Sequence, residues 1–259
     1  SRLKEGLEVN WEDDPGGEPE LIGKSTDGTN DHEKLHGLFD PSSVYPLFAN
    51  ALRGANNQTV EEHMQETGEL FESFSKVASE NEYSWFPKHR SASEIASVKP
   101  ENRMIGLPYT KYMNSIMRVN QSSAMIMMSA KKARELGIPE SNWIFMHAGA
   151  CLNDIWYLSD RRDYHSSPAI KACTDSVFNL AGISLNQVNY IDLYSCFPSA
   201  VQIAMRELSL QKDDLRGLTV TGGLPYFGGP GNAYVMHSIA TMMDKLRSNR
   251  GTFGLATAN

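Results

Sequence analysis

The chain has 259 residues and a formal net charge of −7, from 24 basic and 31 acidic residues, and 41% of its residues are hydrophobic. This composition is ordinary for a soluble globular protein. The diffuse acidic balance argues against nucleic acid as the main partner, because phosphate binding needs clustered lysine and arginine. The pair Arg161–Arg162 is isolated, and we interpret it as solvated surface.

Targeting and redox signals are weak. No stretch of the sequence reaches the ~18–20 apolar residues of a membrane span, and the first residues lack the apolar core of a signal peptide. The cysteines Cys151, Cys173 and Cys196 show no CxxC spacing. An odd number of cysteines without that spacing disfavours a zinc site and a secreted disulfide framework. We therefore expect a cytoplasmic protein without a metal site.

Residues 1–112 predict a partly helical, loop-rich layer. Residues 1–42 are rich in Gly, Asp, Glu and Pro and predict mainly loop. Thr59 and Glu62 have the spacing of a capping box, which predicts the start of a helix. Behind it, apolar residues repeat with a helical period at Val60, Met64, Phe71, Phe74 and Ala78.

Residues 113–259 alternate between strand and helix patterns. Apolar runs predict strands at 122–130, 143–151, 190–195, 218–223 and 252–259. Between them, Ser167 with Pro168 predicts a helix start and Gly182 its end. Pro198 predicts the start of another helix, and Asn232 is a candidate cap for the last one. This order predicts an α/β fold in which a mixed sheet is covered by helices.

The ordered motifs of this second region resemble a known family. The segments "MRVNQSSAMIMMSAKKARELGI", "ISLNQVNYIDLYSCFPSA", "LTVTGGLPYFGGPGN" and "TFGLAT" are similar to the C-terminal half of a thiolase. The similarity is greater to the thiolase-like proteins often labelled acetyl-CoA acetyltransferases, which are relatives of the sterol-carrier-protein thiolases. Residues 1–112 resemble the loop domain of that family more weakly.

The resemblance implies two similar halves that together shape a pocket for a coenzyme A thioester. We expect residues 1–112 to be the loop-domain-like region and 113–259 the C-terminal half. The half that carries the nucleophilic cysteine in that family has no counterpart in the sequence. We expect a longer protein or a partner chain to supply it, and a homo-oligomer when the protein is complete.

The segment Gly222–Asn232 is dense in glycine and proline and leaves several interpretations open. A phosphate-binding loop is disfavoured because the segment lacks the GxxxxGK[ST] spacing and its lysine. Its glycines could instead serve close packing and positive φ angles. The resemblance implies an active-site loop, in which Gly229 stands where thiolases carry a catalytic histidine. Packing and an active-site position are compatible.

At two further positions, the side chain that the family uses in catalysis is also replaced. In the motif "YSCF", Tyr194 replaces the side chain that orients a catalytic water in thiolases. Asn259 stands where the second, proton-shuttling cysteine would be. Since glycine has no ionisable group, it can act neither as a base nor as an electrostatic partner. The resemblance therefore casts doubt on ordinary Claisen-type chemistry, and we select Tyr194 as the candidate catalytic residue, against a half-buried packing role.

The remaining candidates shape the pocket without making bonds. We interpret Cys196 as a small buried side chain rather than a nucleophile, and His237 as a packing histidine. The expected substrate-binding positions are Asn120, Gln121, Ser122, Cys196, Gly222, Gly223, Gly228, Gly229, Asn232 and Asn259.

Three functions stay open from the sequence. The first is a thiolase-superfamily acyltransferase-like enzyme on acyl-CoA with altered catalytic positions. The others are a retro-aldol lyase on coenzyme A thioesters and a non-catalytic binder of acyl-CoA or lipid. We expect no tightly bound cofactor; the coenzyme A thioester would be substrate or ligand.

Overall fold

The computed structural model describes residues 16–18, 20 and 28–258. Its first part holds α1 (Asp31–Leu35), α2 (Pro41–Ala55), α3 (Val60–Glu80), α4 (Ala92–Ala96), β1 (Met104–Gly106) and β2 (Tyr109–Thr110). Its second part holds α5 (Ala130–Glu135), α6 (Pro168–Ala181), β3 (Val188–Asp192), α7 (Pro198–Leu208), α8 (Tyr234–Ser248) and β4 (Phe253–Ala256). The predicted α/β class is confirmed.

Helix α3 begins at the predicted capping box. Thr59 Oγ1 accepts a hydrogen bond from the Glu62 N–H at 3.1 Å, and the Glu62 carboxylate accepts one from the Thr59 N–H at 2.8 Å. These bonds satisfy backbone donors that have no partner within the helix. Phe71, Phe74 and Ala78 are fully buried, so one face of α3 packs into the main hydrophobic core.

The main hydrophobic core joins both parts of the chain. It combines side chains of α2, α3 and α4 with side chains from β3, α7 and the segment after α7. Its fully buried members include Phe71, Phe74, Tyr109, Ile191 and Val201. Because this core contains residues from both sides of position 112, the loop-rich layer packs directly on the second part. The domain boundary at residue 112 stays a prediction.

Strands β3 and β4 pair in parallel and confirm two of the predicted strands. Tyr190 pairs with Gly254 and Asp192 with Ala256, and the Thr257 N–H donates to the Asp192 carbonyl oxygen at 3.0 Å. Helices α7 and α8 lie between these strands in the sequence, as a parallel connection requires. The carboxyl end of β3 therefore lies beside the start of α7.

Three predicted strands are not formed in the described part of the chain. Residues 122–129 and 143–151 carry neither helix nor strand, α5 begins at Ala130, and residues 218–223 form bends and irregular backbone. Near-continuous apolar strands form where both faces are covered. Here Ile126 is 83% and Met146 78% exposed, so the cover that the runs 122–129 and 143–151 need is not supplied by the described residues. Residues 218–223 are buried, but their backbone bends instead of forming a ladder.

The helix ends were predicted with mixed success. Ser167 caps α6 by accepting from the Ile170 N–H at 3.2 Å, Pro168 is its first residue, and Gly182 ends it at a φ of 66°. The predicted cap at Asn232 is wrong: α8 follows Ala233 without a side-chain cap. Asn232 lies instead in a 3-10 turn, Gly231–Ala233, that leads into α8. Among the described residues, no helix combines the length and apolarity needed to cross a bilayer.

Candidate functional site

Tyr194 and Cys196 follow β3 and pack against the glycine-rich segment. Both contact the small apolar cluster formed by Leu224, Phe227 and Tyr234. The ring centroids of Tyr194 and Tyr234 lie 5.8 Å apart, edge to face. The end of β3, the glycine-rich segment and the start of α8 therefore meet in one place, which we call the Tyr194 cluster.

The ionisable groups of the Tyr194 cluster stay protonated at neutral pH. Burial raises the pKa of the Tyr194 phenol, and the nearby Cys196 adds to the rise. Burial also raises the pKa of the Cys196 thiol to about 11. Since the thiolate is the nucleophilic form of cysteine, Cys196 is a weak nucleophile here, and Tyr194 is available as a hydrogen-bond donor.

A side chain at Gly229 would crowd two neighbouring side chains. A Cβ atom on Gly229 would lie 2.7 Å from Ser115 Oγ and 2.9 Å from Leu224 Cδ2, closer than such atoms normally approach. The Gly229 N–H donates to the Ile116 carbonyl oxygen at 2.9 Å. Close packing therefore accounts for glycine at this position.

The first glycines of the segment are also fixed by packing. Gly222 has a φ of 111°, and its missing Cβ would lie 2.5 Å from Ala78 Cα in α3. Gly223 has a φ of 78°, and its missing Cβ would lie 2.7 Å from Ser195 Oγ. Positive φ angles and close backbone contact both favour glycine at these two positions. Helix α3 and the glycine-rich segment are in direct contact here.

Gln121 connects the segment 117–128 to the glycine-rich segment. Its amide nitrogen donates to the carbonyl oxygens of Tyr83 at 2.8 Å and Phe227 at 2.9 Å. Its side chain also occupies the space where a Cβ of Gly228 would be. The structure thus brings together Gln121, Tyr194, Cys196 and the glycines 222, 223, 228 and 229.

The other predicted pocket residues do not join this cluster. Asn120, Ser122 and Asn232 are exposed, so a role for them in the Tyr194 cluster would depend on groups outside the described residues. Asn259 lies outside the described residues, and its predicted place beside Gly229 stays a prediction.

Sequence reasoning missed a buried polar network centred on Asp192. This carboxylate is fully buried at the end of β3. It accepts hydrogen bonds from the Val220 N–H at 2.8 Å, the Thr219 hydroxyl at 3.0 Å and the Tyr234 hydroxyl at 3.1 Å. An acidic residue in the otherwise apolar run "YIDLYS" was the signal that could have revealed it, because buried carboxylates need hydrogen-bond partners.

The network fixes the turn that opens the glycine-rich segment. Thr219 Oγ1 accepts from the Gly222 N–H at 3.0 Å, and Thr221 Oγ1 accepts from the Gly223 N–H at 3.1 Å. Thr221 and Tyr234 share a further hydrogen bond at 2.6 Å. The backbone of the turn is thereby tied through two threonines to one carboxylate.

Tyr45 separates the Tyr194 cluster from a cavity on its other side. Its ring stacks on Phe197 with a centroid distance of 4.3 Å, and burial, with Cys196 nearby, raises its pKa. The cavity has a volume of about 340 Å³ and lies between α2, the segment 154–167 and α7. Tyr45 lines this cavity, whereas Tyr194 and the glycine-rich segment do not.

Comparisons with known proteins show which family the chain is similar to. No family model matches the chain. It is 26% identical over 159 residues to a 3-ketoacyl-CoA thiolase of Erwinia tasmaniensis and 25% identical over 159 residues to one of Yersinia pestis. Among solved structures, it matches a monomeric SCP2-thiolase like protein type 1 from Mycobacterium smegmatis with 40% identity and a TM-score of 0.85, over 90% of this chain. The chain belongs to the thiolase superfamily.

This thiolase-like chain spans only part of its relatives. It covers 35% of the two curated thiolases and 51% of the Mycobacterium smegmatis structure. The Ltp2-ChsH2(DUF35) aldolase also matches, with a TM-score of 0.66 over 87% of this chain and 62% of that one, but at 18% identity. That likeness shows the fold alone.

The thiolase-like chain offers no metal centre in the part that the structure describes. Within those residues, no group of three or more His, Cys, Asp and Glu side chains is suited to hold a metal ion. His237, near the glycine-rich segment, is buried with its ring centroid 5.3 Å from that of Phe227, and burial lowers its pKa. It packs as an uncharged side chain in the wall of the cluster.

Proposed function

We propose that this chain binds an acyl-CoA thioester at the Tyr194 cluster, and that its own residues do not supply the acyl-transfer chemistry of a thiolase. The observation that carries the second part of the proposal is glycine at position 229, where two neighbouring side chains crowd the place of a Cβ. Acyl transfer by covalent catalysis needs a nucleophile activated by a base. The position where the family resemblance implies a histidine cannot hold even a Cβ without displacing Ser115 or Leu224.

Cys196 does not replace the missing nucleophile. Its side chain is only partly exposed, and burial raises the pKa of its thiol to about 11. At neutral pH its thiolate fraction is on the order of one in ten thousand. A bound thioester would therefore stay intact unless another part of the protein attacks it.

Tyr194 would hold the thioester by hydrogen bonding. Its phenol is partly exposed and has a raised pKa, so it remains a donor at neutral pH. The edge contact with Tyr234 restricts the orientation of its ring. A donor held at the end of β3 is in the right chemical form to bind the carbonyl oxygen of a thioester.

Calorimetric titration of the purified chain with acetyl-CoA tests the proposal, with the thioester absorbance followed in parallel. We expect saturable binding without loss of the thioester. Tyr194→Phe should weaken acetyl-CoA binding by about 3- to 10-fold, since one hydrogen bond contributes about 0.5–1.5 kcal/mol, and leave free coenzyme A binding unchanged. Tyr190→Phe, on β3 itself, is the matched control. Absence of binding at millimolar acetyl-CoA, or equal effects of both variants, would reject the proposal.

A retro-aldol lyase acting on coenzyme A thioesters is the second candidate. The observation that favours it is the partly exposed phenol of Tyr194, which could handle protons in place of the cysteines, with the ring of Tyr234 against it. A protein with the same fold, although only 18% identical, is named an aldolase. Cleavage of a 3-hydroxyacyl-CoA by the chain, lost in Tyr194→Phe and kept in Tyr190→Phe, would establish this function over simple binding.

We also propose that the exposed apolar runs 117–128 and 143–156 pack against a second thiolase-like half, in the same protein or in a partner. Met117, Ile126, Met127, Phe145 and Met146 are all more than half exposed. Large exposed apolar side chains that recur within short runs favour an interaction surface. The chain covers only 51% of the Mycobacterium smegmatis protein, which is described as monomeric.

Light scattering and a dye that binds apolar surface test this second proposal. We expect the chain alone to bind the dye and to self-associate, and Ile126→Gln with Met127→Gln to reduce both signals. Leu180→Gln, at an exposed position of α6, is the control. A chain that stays monomeric and binds no dye would contradict the proposal.

A further inference from the structure

The cavity behind Tyr45 is walled largely by apolar side chains. It lies between α2, the segment 154–167 and the start of α7, and its volume is about 340 Å³. Its apolar lining includes Val44, Phe48, Leu158, Ile170 and Ile203. A cavity of about 150 Å³ is enough to bind benzene, so this one has room for a linear chain of several carbon atoms.

The charged groups of the cavity wall already have partners. Arg161 Nη1 lies 3.8 Å from Asp154 Oδ2, and its Nε donates to the Ile155 carbonyl oxygen at 2.9 Å. Asp154 in turn accepts from the Ser167 hydroxyl at 2.6 Å. A polar occupant would need hydrogen-bond partners of its own, so these walls favour an apolar one. Of the pair Arg161–Arg162, only Arg162 is exposed surface.

One aromatic ring closes the cavity on the side of the Tyr194 cluster. The ring of Tyr45 lines the cavity and stacks on Phe197 with a centroid distance of 4.3 Å. On α2 itself, its centroid lies 5.7 Å from that of Phe48. Closely packed side chains of this kind occupy defined rotamers, so the ring of Tyr45 forms a fixed wall.

Cys196 lies between this wall and the Tyr194 cluster. It packs against the apolar cluster of Leu224, Phe227 and Tyr234, and also against the main hydrophobic core, on which Tyr45 packs as well. It is close enough to Tyr45 to add to the rise in the pKa of the Tyr45 phenol. An acyl chain that extends from Tyr194 toward the cavity therefore meets Cys196 and then the ring of Tyr45.

We propose that Tyr45 determines the length of the acyl chain accepted at the Tyr194 cluster, because its ring closes off the apolar cavity. This inference rests on the proposed binding of an acyl-CoA thioester at Tyr194. With the ring in place, the thioesters that fit are those with short acyl chains. Without the ring, the cavity adds apolar space for a longer chain.

Calorimetric titration with butyryl-CoA and octanoyl-CoA, at concentrations where octanoyl-CoA does not self-associate, tests this role. We expect the native chain to bind octanoyl-CoA no more tightly than butyryl-CoA. In Tyr45→Ala, octanoyl-CoA should bind at least about tenfold more tightly than butyryl-CoA, since each buried CH₂ group contributes a factor of about four. Tyr45→Phe keeps the ring and should keep the native discrimination.

Phe48→Ala is the matched control. It enlarges the same cavity on the side that faces Tyr164 and leaves the ring of Tyr45 in place, so octanoyl-CoA should gain nothing over butyryl-CoA. Thermal melts check that each variant folds. If Tyr45→Ala does not fold, Tyr45→Leu, which keeps more of the packing on Phe197, should show the same change to a smaller extent.

The possible failures of this experiment are distinguishable. Tighter binding of octanoyl-CoA than of butyryl-CoA by the native chain would overturn the role of Tyr45. So would an unchanged ratio in a folded Tyr45→Ala or Tyr45→Leu that still binds butyryl-CoA, or the same gain in Phe48→Ala. A native chain that binds neither acetyl-CoA nor butyryl-CoA would reject the proposed function itself, and the role of Tyr45 with it.

Discussion

The hydroxyl of Tyr234, at the start of α8, donates to Asp192 Oδ1, at the end of β3, over 3.1 Å. This bond crosses 42 residues of sequence and joins the elements that flank the glycine-rich segment. Asp192 also holds the turn through Thr219 and Val220. The carboxylate is therefore the structural centre of the candidate site, although it does not line the cavity behind Tyr45.

Removing this carboxylate should lower the free energy of unfolding strongly, and replacing it by an amide should lower it only slightly. Asp192→Ala leaves the Val220 N–H and two hydroxyls without their acceptor, which costs about 1–3 kcal/mol for a buried group left unsatisfied. In Asp192→Asn the amide oxygen can still accept from Val220 while the amide nitrogen donates to the Tyr234 oxygen. Urea unfolding of both variants measures the difference. Equal destabilisation by the two substitutions would contradict the network.

The stability contribution of Asp192 should depend on pH. Burial raises its pKa above the ordinary value of 3.8. The folded protein therefore holds this proton more tightly than the unfolded chain, and the stability gained is lost as pH rises through the folded pKa. Asparagine does not titrate, so we expect the unfolding free energy of Asp192→Asn, relative to the native sequence, to improve between about pH 4 and pH 7.

Unfolding of the two proteins in urea across this pH range measures the effect. Carboxylates with lowered pKa, such as Asp214, contribute equally to both proteins and cancel in the difference. A difference that stays constant with pH, or one that shifts toward the native sequence, would show that Asp192 does not titrate differently on folding.

Substituting alanine at three glycines should lower the stability of the protein in proportion to how closely other atoms surround each position. Gly222→Ala meets the backbone of α3 and forces a φ of 111°, so we expect a loss of about 2–4 kcal/mol. Gly229→Ala meets the movable ends of Ser115 and Leu224 and should cost about 1–2 kcal/mol. Gly149→Ala, with no atom within 4 Å of its Cβ, is the control. Thermal melts of the three variants would contradict this ranking if Gly149→Ala were the least stable.

Thiol labelling should distinguish the cysteines. Cys151 is exposed, whereas burial raises the pKa of Cys196 to about 11. At pH 8 we expect Cys151 to react about a hundredfold faster than Cys196, because the thiolate is the reactive form. The experiment uses a Cys173→Ser background, and Cys151→Ser should remove the fast phase. Rapid labelling of Cys196 in the folded chain would show that its thiol is activated, and would reopen nucleophilic chemistry at the Tyr194 cluster.

Local signals in the sequence predicted local structure well. The capping box at Thr59 and Glu62, and the Ser167 with Gly182 pair, marked true helix ends. They succeed because a cap is decided by residues three or four positions apart. Asn232 failed as a cap because a 3-10 turn places α8 directly after Ala233.

The strands were less predictable because they depend on distant partners. Residues 253–256 form a strand, as the pattern predicted, and this strand pairs with β3. The apolar runs at 122–130 and 143–151 form no ladder in the described chain. Hydrophobicity alone shows that such a run needs cover, and it does not show where that cover comes from. The same limit concealed the role of Asp192, whose partners lie 27 or more residues away.

By itself, the sequence determined the α/β class, the helix ends with local caps, and the motifs that resemble the thiolase family, since all of these depend on residue order over short distances. Only the tertiary structure decided which side chains crowd Gly229, which carboxylate holds the turn, and which distant segments line the cavity behind Tyr45. Those answers depend on side chains that meet through space, and contacts between distant positions follow from packing of the whole chain.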